Sequence, residues 1–415
     1  MANTLIITLV FYPDNVSTAH IMTGLAEGLK RKGNNVWVIS TVPHYNPPMS
    51  FCSYNGYLLW PFVKKSVHKN INVFKIEMPK KTGNLLLRAL AWSWFNFAAL
   101  MTGILLFFKK IELIITPSPP LTNGLIAWIL SALYRSKFIY NVQEIYPDIA
   151  IELGIIKNKY LIQASKFIEK VVYDKSTIIT VISDNMKSNL IKKKVNSGKI
   201  KVIPNFVDLS EMQVYPKTNE FSIKYNIDNK FVVSYAGNIG IAQGLDIVIE
   251  SAEKLRGRED IIFLFVGDGV SKGKLLREKE KRQLNNISFI PTQPYKLVPK
   301  IYASSDINLV PLSKDCKGSA LPSKIYRIMA CGKTILAITD DSSDIANVIK
   351  SLNCGVVVEP GNSEELTNQI IHIYSDLERW NAKGRLVRDY VIKNNSFESF
   401  IESYIKCIAY IMNDR

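Results

Sequence analysis

Lys324 is the residue from which chemistry reads most directly. It stands in the run Leu321–Ala337, LPSKIYRIMACGKTILA, which predicts a loop, a short helix, a stop at Gly332 and a buried strand. Pro322 supplies no amide hydrogen and Ser323 can cap free ones, so both suit a helix start. A cation in the first turn opposes the helix dipole, and a bound diphosphate would relieve that conflict. The other reading is an ordinary surface lysine. A second phosphate-type element is YAGNIGIAQGLD, Tyr235–Asp246, between a predicted strand and a predicted helix. Gly237 and Gly240 let a backbone approach a phosphate closely. Their spacing, G-x-x-G-x-x-x-G, is not the dinucleotide fingerprint and does not support an NAD fold.

Carboxylates come next. VQEIYPD puts Glu144 at a strand end and Asp148 just after a turn. Strand carboxyl ends in parallel sheets face the ligand crevice, and a carboxylate there can accept a hydroxyl proton or orient a substrate. Asp148 can equally cap a helix. In FYPDNVSTAH, Ser17 or Thr18 can cap a helix whose amides meet an anion; His20 at the end of that run, and His44 farther along the chain, are possible proton carriers. No H-E-x-x-H, serine triad, Walker loop or carboxylate cluster is present. The expected chemistry needs neither metal nor cofactor.

These residues need a scaffold. Predicted strands at Leu5–Phe11, Val36–Ser40, Ile71–Ile76, Leu113–Thr116, Phe138–Asn141 and Thr177–Ile182 alternate with helices. The second half repeats the scheme at Val232–Ala236, Ile261–Val266, Ile287–Ile290, Ile307–Val310, Thr334–Ile338 and Gly355–Val358. Such alternation predicts an α/β fold with parallel sheets, here as two doubly wound halves joined within Pro204–Phe221. Ser396–Met412 has helical apolar spacing. Leu85–Phe108 is a long apolar helix flanked by lysines. It is long enough to span a bilayer, but Arg88 and Asn96 make a span costly. A Trp-rich face dipping into a membrane surface is the favoured reading.

Composition bounds the function. A chain of 415 residues with 47% hydrophobic content holds two or three cores, and disorder is not expected. The formal charge of +16 attracts nucleic acid, anionic membranes or phosphorylated substrates. No nucleic-acid motif accompanies it. Five scattered cysteines form no C-x-x-C pair, so a reducing cytoplasm fits. The N-terminus reads as a strand rather than a signal peptide.

The run around Lys324 resembles the P-S-K segment of family 4 glycosyltransferases from bacterial O-antigen and capsule clusters. Further matches follow in register: Phe11–Ser40, TPSPPLTNGLIA, VQEIYPDIAIELGI, VISDNMKSNL, KIKVIPNFVD, YAGNIGIAQGLD and FVGDG. The resemblance implies the GT-B architecture, two Rossmann-like domains facing a cleft. Residues 1–205 would bind the acceptor, residues 206–395 the nucleotide-sugar, and the helix in 396–415 would return to the first domain. It implies a retaining enzyme, peripheral to the inner membrane face. A sugar of N-acetylhexosamine type would move from a UDP donor to a lipid-diphosphate-linked sugar. Gly237, Asn238, Gly240, Gln243, Gly269, Pro322, Ser323, Lys324 and Arg327 would then hold the donor. Asp14, Ser17 and Thr18 would meet the acceptor, and Glu144, Asp148 and His20 would serve the chemistry. The chain departs from the family pattern in three places. Asn238 and Gln243 stand where an Arg and a Lys are common, Ser319 and Arg327 replace the E-x7-E glutamates, and Val16 and Ser17 replace paired glycines. Two other readings stay open: a GT-B nucleotide-sugar 2-epimerase, and a non-catalytic binder of membrane or nucleic acid driven by charge.

Overall fold

The computed structural model describes residues 2–14, 16–43, 57–60, 62–78, 85–152, 154–314 and 323–413. The chain divides into two compact units, Met1–Asn205 with Phe400–Arg415, and Phe206–Ser399.

The first unit is built on a nine-stranded sheet. Its strands are β1 Asn3–Ile7, β2 Asn35–Thr41, β3 Tyr57–Trp60, β4 Val63–His68, β5 Ile71–Ile76, β6 Leu113–Ser118, β7 Lys137–Val142, β8 Ile178–Val181 and β9 Ile200–Val202. Their order is β3-β4-β5-β2-β1-β6-β7-β8-β9. Every pairing from β5 to β9 is parallel, while β3 and β4 form an antiparallel edge. β1 lies at the centre, with Ile6 opposite Val38 on one side and Ile115 on the other. Covered on both faces, it is buried from Thr4 onward, and its apolar Leu5, Ile6 and Ile7 have no exposed surface.

Helix packing in this unit rests on close approach. A Cβ on Gly103 would lie 2.4 Å from Leu130, and one on Gly124 would lie 2.5 Å from Val172. These contacts lock the helices Leu85–Leu105, Thr122–Tyr134 and Lys159–Lys175 side by side. The first is shorter than expected and closes in a 3-10 turn, Phe107–Lys109. Its Phe95, Ala98, Ala99 and Thr102 are fully buried, and the Trp94 indole donates to the Glu77 carbonyl at 3.0 Å. Among the described residues no helix is long and apolar enough to cross a membrane, which sets the spanning reading aside. The C-terminal helix Phe397–Asn413 completes the unit. Its Ile401 fills the space over Gly28, and the buried Tyr404 hydroxyl accepts from Asn141 Nδ2 at 2.9 Å.

The second unit carries a six-stranded, wholly parallel sheet of β10 Phe231–Ala236, β11 Ile261–Val266, β12 Ile287–Ile290, β13 Ile307–Pro311, β14 Ile335–Ile338 and β15 Gly355–Val358. The order is β12-β11-β10-β13-β14-β15. The chain therefore winds outward from β10 in one direction, then from β13 in the other. Beside the carboxyl ends of β10 and β13 lies the crevice that such a reversal leaves for a ligand. Phe263, Phe265 and Tyr235 fill the core beneath it.

Candidate active site

In the second unit, β10 ends at Ala236 and the chain turns at Gly237 with φ +146. The turn after β11 is pressed against it. A Cβ on Gly267 would come within 1.9 Å of the Gly237 carbonyl oxygen, and one on Gly269 within 2.3 Å of the Ile239 oxygen. With φ of +150 and +155 these two positions are open to glycine alone. Hydrogen bonds from Gly237 N to Val266 O at 2.9 Å and from Ile239 N to Asp268 O at 2.8 Å zip the two turns together. Gly240 opens a 3-10 turn, Ile241–Gln243, and its amide donates to Gln243 Oε1 at 3.0 Å. Gln243 thus shapes the turn. The Asn238 side chain is wedged between Gly240 and Gly269, and the Asn238 backbone carbonyl accepts from the Tyr235 hydroxyl at 2.6 Å.

Lys324 reaches this corner from the helix Lys324–Ala330. Its Nζ stands 3.9 Å from the centre of the Tyr235 ring and 2.9 Å from where a Gly237 Cβ would be. Burial, and then the charge of Arg327, lower its pKa to about 7. The face of Tyr235 offsets part of that cost. Arg327, one turn on, lies over the Tyr295 ring at 5.4 Å. Among the described residues no carboxylate is within ion-pair distance of Lys324 or Arg327. Arg327 does act at longer range on Glu211, whose carboxyl is raised by burial and by Asp208. The expected cap does not form: Ser323 has helical backbone angles and makes no capping hydrogen bond. Pro322 lies outside the described residues, as does His44.

In the first unit, Glu144 follows β7, on a segment fixed by a buried amide network. Gln143 Nε2 donates to Asn141 Oδ1 at 2.7 Å, and Asn205 Nδ2 returns to Gln143 Oε1 at 2.7 Å. The Ser118 hydroxyl holds the Glu144 carbonyl at 3.3 Å. Burial raises the pKa of the Glu144 carboxyl, which has no partner among the described residues. Asp148 differs. It is half-buried and paired with Lys193 at 2.8 Å, and Lys193 also holds the buried Glu169 at 2.5 Å. That network gives Asp148 a holding role at the start of the helix Asp148–Glu152.

The expected cap by Ser17 or Thr18 is also absent. Both lie within the helix Ser17–Arg31, whose N-cap residue is Val16 and carries no side-chain cap. His20 is exposed in its first turn. Asp14 is buried, and its charge supports Lys75, whose pKa burial brings down to about 8. Among the described residues no three His, Cys, Asp or Glu side chains gather as a metal site would require.

Two family models match the chain: Glycosyltransferase Family 4 over residues 19–211 and Glycosyl transferases group 1 over residues 217–387. The chain belongs to the family 4 glycosyltransferases. It is 26% identical over 351 residues to WcaI of Escherichia coli (strain K12), named as a colanic acid biosynthesis glycosyl transferase, covering 82% of this chain and 84% of WcaI. It is 26% identical over 286 residues to WbjE of Pseudomonas aeruginosa, named as a glycosyltransferase, covering 67% of this chain and 69% of that one. Among solved structures, HepE of Anabaena in complex with UDP superposes with a TM-score of 0.71 at 14% identity, covering 98% of this chain and 100% of that chain. The glycosyltransferase therefore has the GT-B fold.

In this glycosyltransferase the residues read as donor-binding divide in two. Gly237, Asn238, Gly240, Gln243 and Gly269 build the strand-end turns, while Lys324 and Arg327 supply the positive charge. Three residues escaped the sequence reading: Tyr235, Gly267 and Glu211. An aromatic two residues before the first glycine was the available signal for Tyr235, and the first glycine of FVGDG for Gly267.

Proposed function

We propose that this glycosyltransferase transfers a sugar of N-acetylhexosamine type from UDP, with retention, to a lipid-diphosphate-linked sugar in surface polysaccharide synthesis at a membrane face. The observation that carries the donor side is the Lys324 ammonium beside the Gly237 turn, with Arg327 one turn on and no carboxylate at ion-pair distance among the described residues. Two converging cations over strand-end amides suit a diphosphate, and they stabilise the charge that develops as the sugar departs. The complex of HepE with UDP supports this choice of donor. The WcaI name supports the polysaccharide setting. On the acceptor side, Glu144 is the carboxylate free to orient a hydroxyl or take its proton.

The test is donor use by Lys324→Ala. A charge-assisted contact is worth about 1.5–3 kcal/mol, so kcat/KM for the UDP-sugar should fall roughly ten- to a hundred-fold. Normal kinetics would remove Lys324 from the donor site. Incubation with UDP-sugar alone should yield no epimer, and an epimer would transfer the assignment to the isomerase class.

A further inference from the structure

The first unit presents one helical layer whose outward face its own core does not use. Crossovers from β5 to β6, β6 to β7 and β7 to β8 all run the same way along the sheet. Right-handed connections therefore put the helices Leu85–Leu105, Thr122–Tyr134 and Lys159–Lys175 on the same side. Their outward positions are unusually apolar. Phe97 and Leu105 on the first helix, Phe108 just after it, Leu133 on the second, and Tyr160 and Phe167 on the third are all exposed, Phe108 at 89% and Tyr160 at 82%. Bases are interleaved with them: the third helix carries exposed Lys159, Lys166, Lys170 and Lys175 against one exposed carboxylate, Asp174. Large apolar side chains mixed with lysines make a face that lies on an anionic bilayer, and no helix among the described residues is long and apolar enough to enter as a span.

A cavity of about 320 Å³ opens beside this layer. Phe107 and Tyr134 line it as stacked rings, 5.8 Å apart and 15° from parallel. Lys110, Arg135 and Lys137 supply three positive charges. Among the described residues Glu112 is the one carboxylate lining it, and its Oε2 accepts from the Asn3 amide at 3.1 Å. The cavity sits at the amino ends of β6 and β7, where Leu113 and Lys137 begin those strands. Ser118 and Glu144 lie at the opposite, carboxyl ends. Six residues of strand separate the two by roughly 20 Å, so a group held in the cavity is not the reacting one.

We propose that this cavity binds the phosphate headgroup of an anionic phospholipid and so seats the three-helix face on the membrane. The proposal rests on the membrane-surface part of the function given above. Charge decides the occupant: three bases around a half-open cavity ask for a phosphate, and the neighbouring apolar side chains ask for acyl chains. Phe108, projecting beside the mouth, enters the interface while the headgroup is held.

Co-sedimentation with phosphatidylcholine vesicles, with and without phosphatidylglycerol, tests it on the full chain. The protein should bind the anionic vesicles and leave the neutral ones. Substituting Lys110→Ala, Arg135→Ala and Lys137→Ala together should weaken binding well beyond roughly a hundred-fold, since each base near an anionic surface contributes about a factor of five and these three also hold the phosphate directly. Lys110→Arg, Arg135→Lys and Lys137→Arg together should keep it. A triple on the same face but away from the cavity, Lys159→Ala, Lys166→Ala and Lys170→Ala, should cost no more than roughly a hundred-fold, the share of the surface potential alone. Equal losses in the two alanine triples would overturn the cavity as a headgroup site and leave the membrane reading standing. No binding of the unsubstituted protein to anionic vesicles would overturn both.

Discussion

Lys324 titrates where most lysines do not. With its pKa at about 7 in the unliganded protein, it is charged below that pH and loses its proton above it. A bound diphosphate favours the charged form and raises the pKa, so above pH 7 binding must draw a proton in. UDP is already fully ionised in that range, its last phosphate proton leaving near pH 6. UDP affinity measured by calorimetry should therefore fall above pH 7, by up to tenfold per pH unit, until the pKa of the complex is passed. A flat profile would contradict the assignment. Glu144 and Asp148 separate at the same scale. Glu144→Gln should lower turnover with a lipid-diphosphate sugar by roughly a hundred-fold and leave UDP affinity unchanged. Asp148→Asn should instead cost about 1 kcal/mol of stability in urea melts with turnover nearly intact, because it loosens Lys193. Equal turnover losses in the two variants would put Asp148 back in the chemistry. Sequence alone could find Lys324, because a cation in a first helical turn is out of place. It could not find Tyr235 as its partner, because that contact joins a strand to a helix some ninety positions later, and no local pattern encodes it.

Elements were legible where their period was complete. β5, β11, β12 and β15 have the bounds their apolar runs predict, since buried parallel strands carry continuous β-branched and aromatic residues. The C-terminal helix was read from spacing, and Phe400, Ile401, Tyr404 and Ile408 are indeed its buried stripe. The antiparallel strand β4, VKKSVH, escaped because one solvated face breaks its apolar run, and β9 is only three residues long. β1 ends at Ile7 rather than continuing to Phe11 as its apolar run suggested. Turn glycines were harder to rank by sequence than by space. Gly267→Ala puts a methyl against the Gly237 carbonyl at a φ of +150, where the obstacle is backbone rather than a side chain that could swing away. It should cost about 3 kcal/mol or more and abolish UDP binding. Gly257→Ala meets nothing within 4 Å and should be neutral within about 0.5 kcal/mol. Urea midpoints of the two variants measure the contrast, and similar midpoints would mean the Gly237–Gly267 contact is not what closes the cradle.

At the scale of the whole molecule, two sheets share one winding scheme. β5-β2-β1-β6-β7 in the first unit repeats the outward turn of β12-β11-β10-β13-β14 in the second, so each has a crevice at the carboxyl ends of its central strands. Fold alone therefore cannot say which crevice takes the nucleotide. Charge can. Beside the central strands of the second unit, Lys324 stands at the Gly237 turn with Arg327 one turn on. After β7 of the first unit stands the carboxyl of Glu144, unpaired among the described residues, and near the end of β5 the charges of Asp14 and Lys75 answer each other within the fold. On the donor site proposed above, the arrangement in the second unit would hold a diphosphate and the one in the first would repel it, and the difference should survive physiological salt because these groups are partly buried. Hydrogen exchange with and without UDP reads this out along the chain. Protection should rise at Gly237–Gly244, Gly267–Ser271 and the first turn of Lys324–Ala330. It should stay level at Thr8–Asp14, at Leu121–Gly124 and at Gln143–Ile145. At a UDP concentration about a hundred times its Kd, the second unit should also gain about 2.7 kcal/mol against unfolding, while opening events confined to the first unit keep their free energy. Protection centred on the first unit's strand ends would reverse the assignment of donor and acceptor between the two sheets.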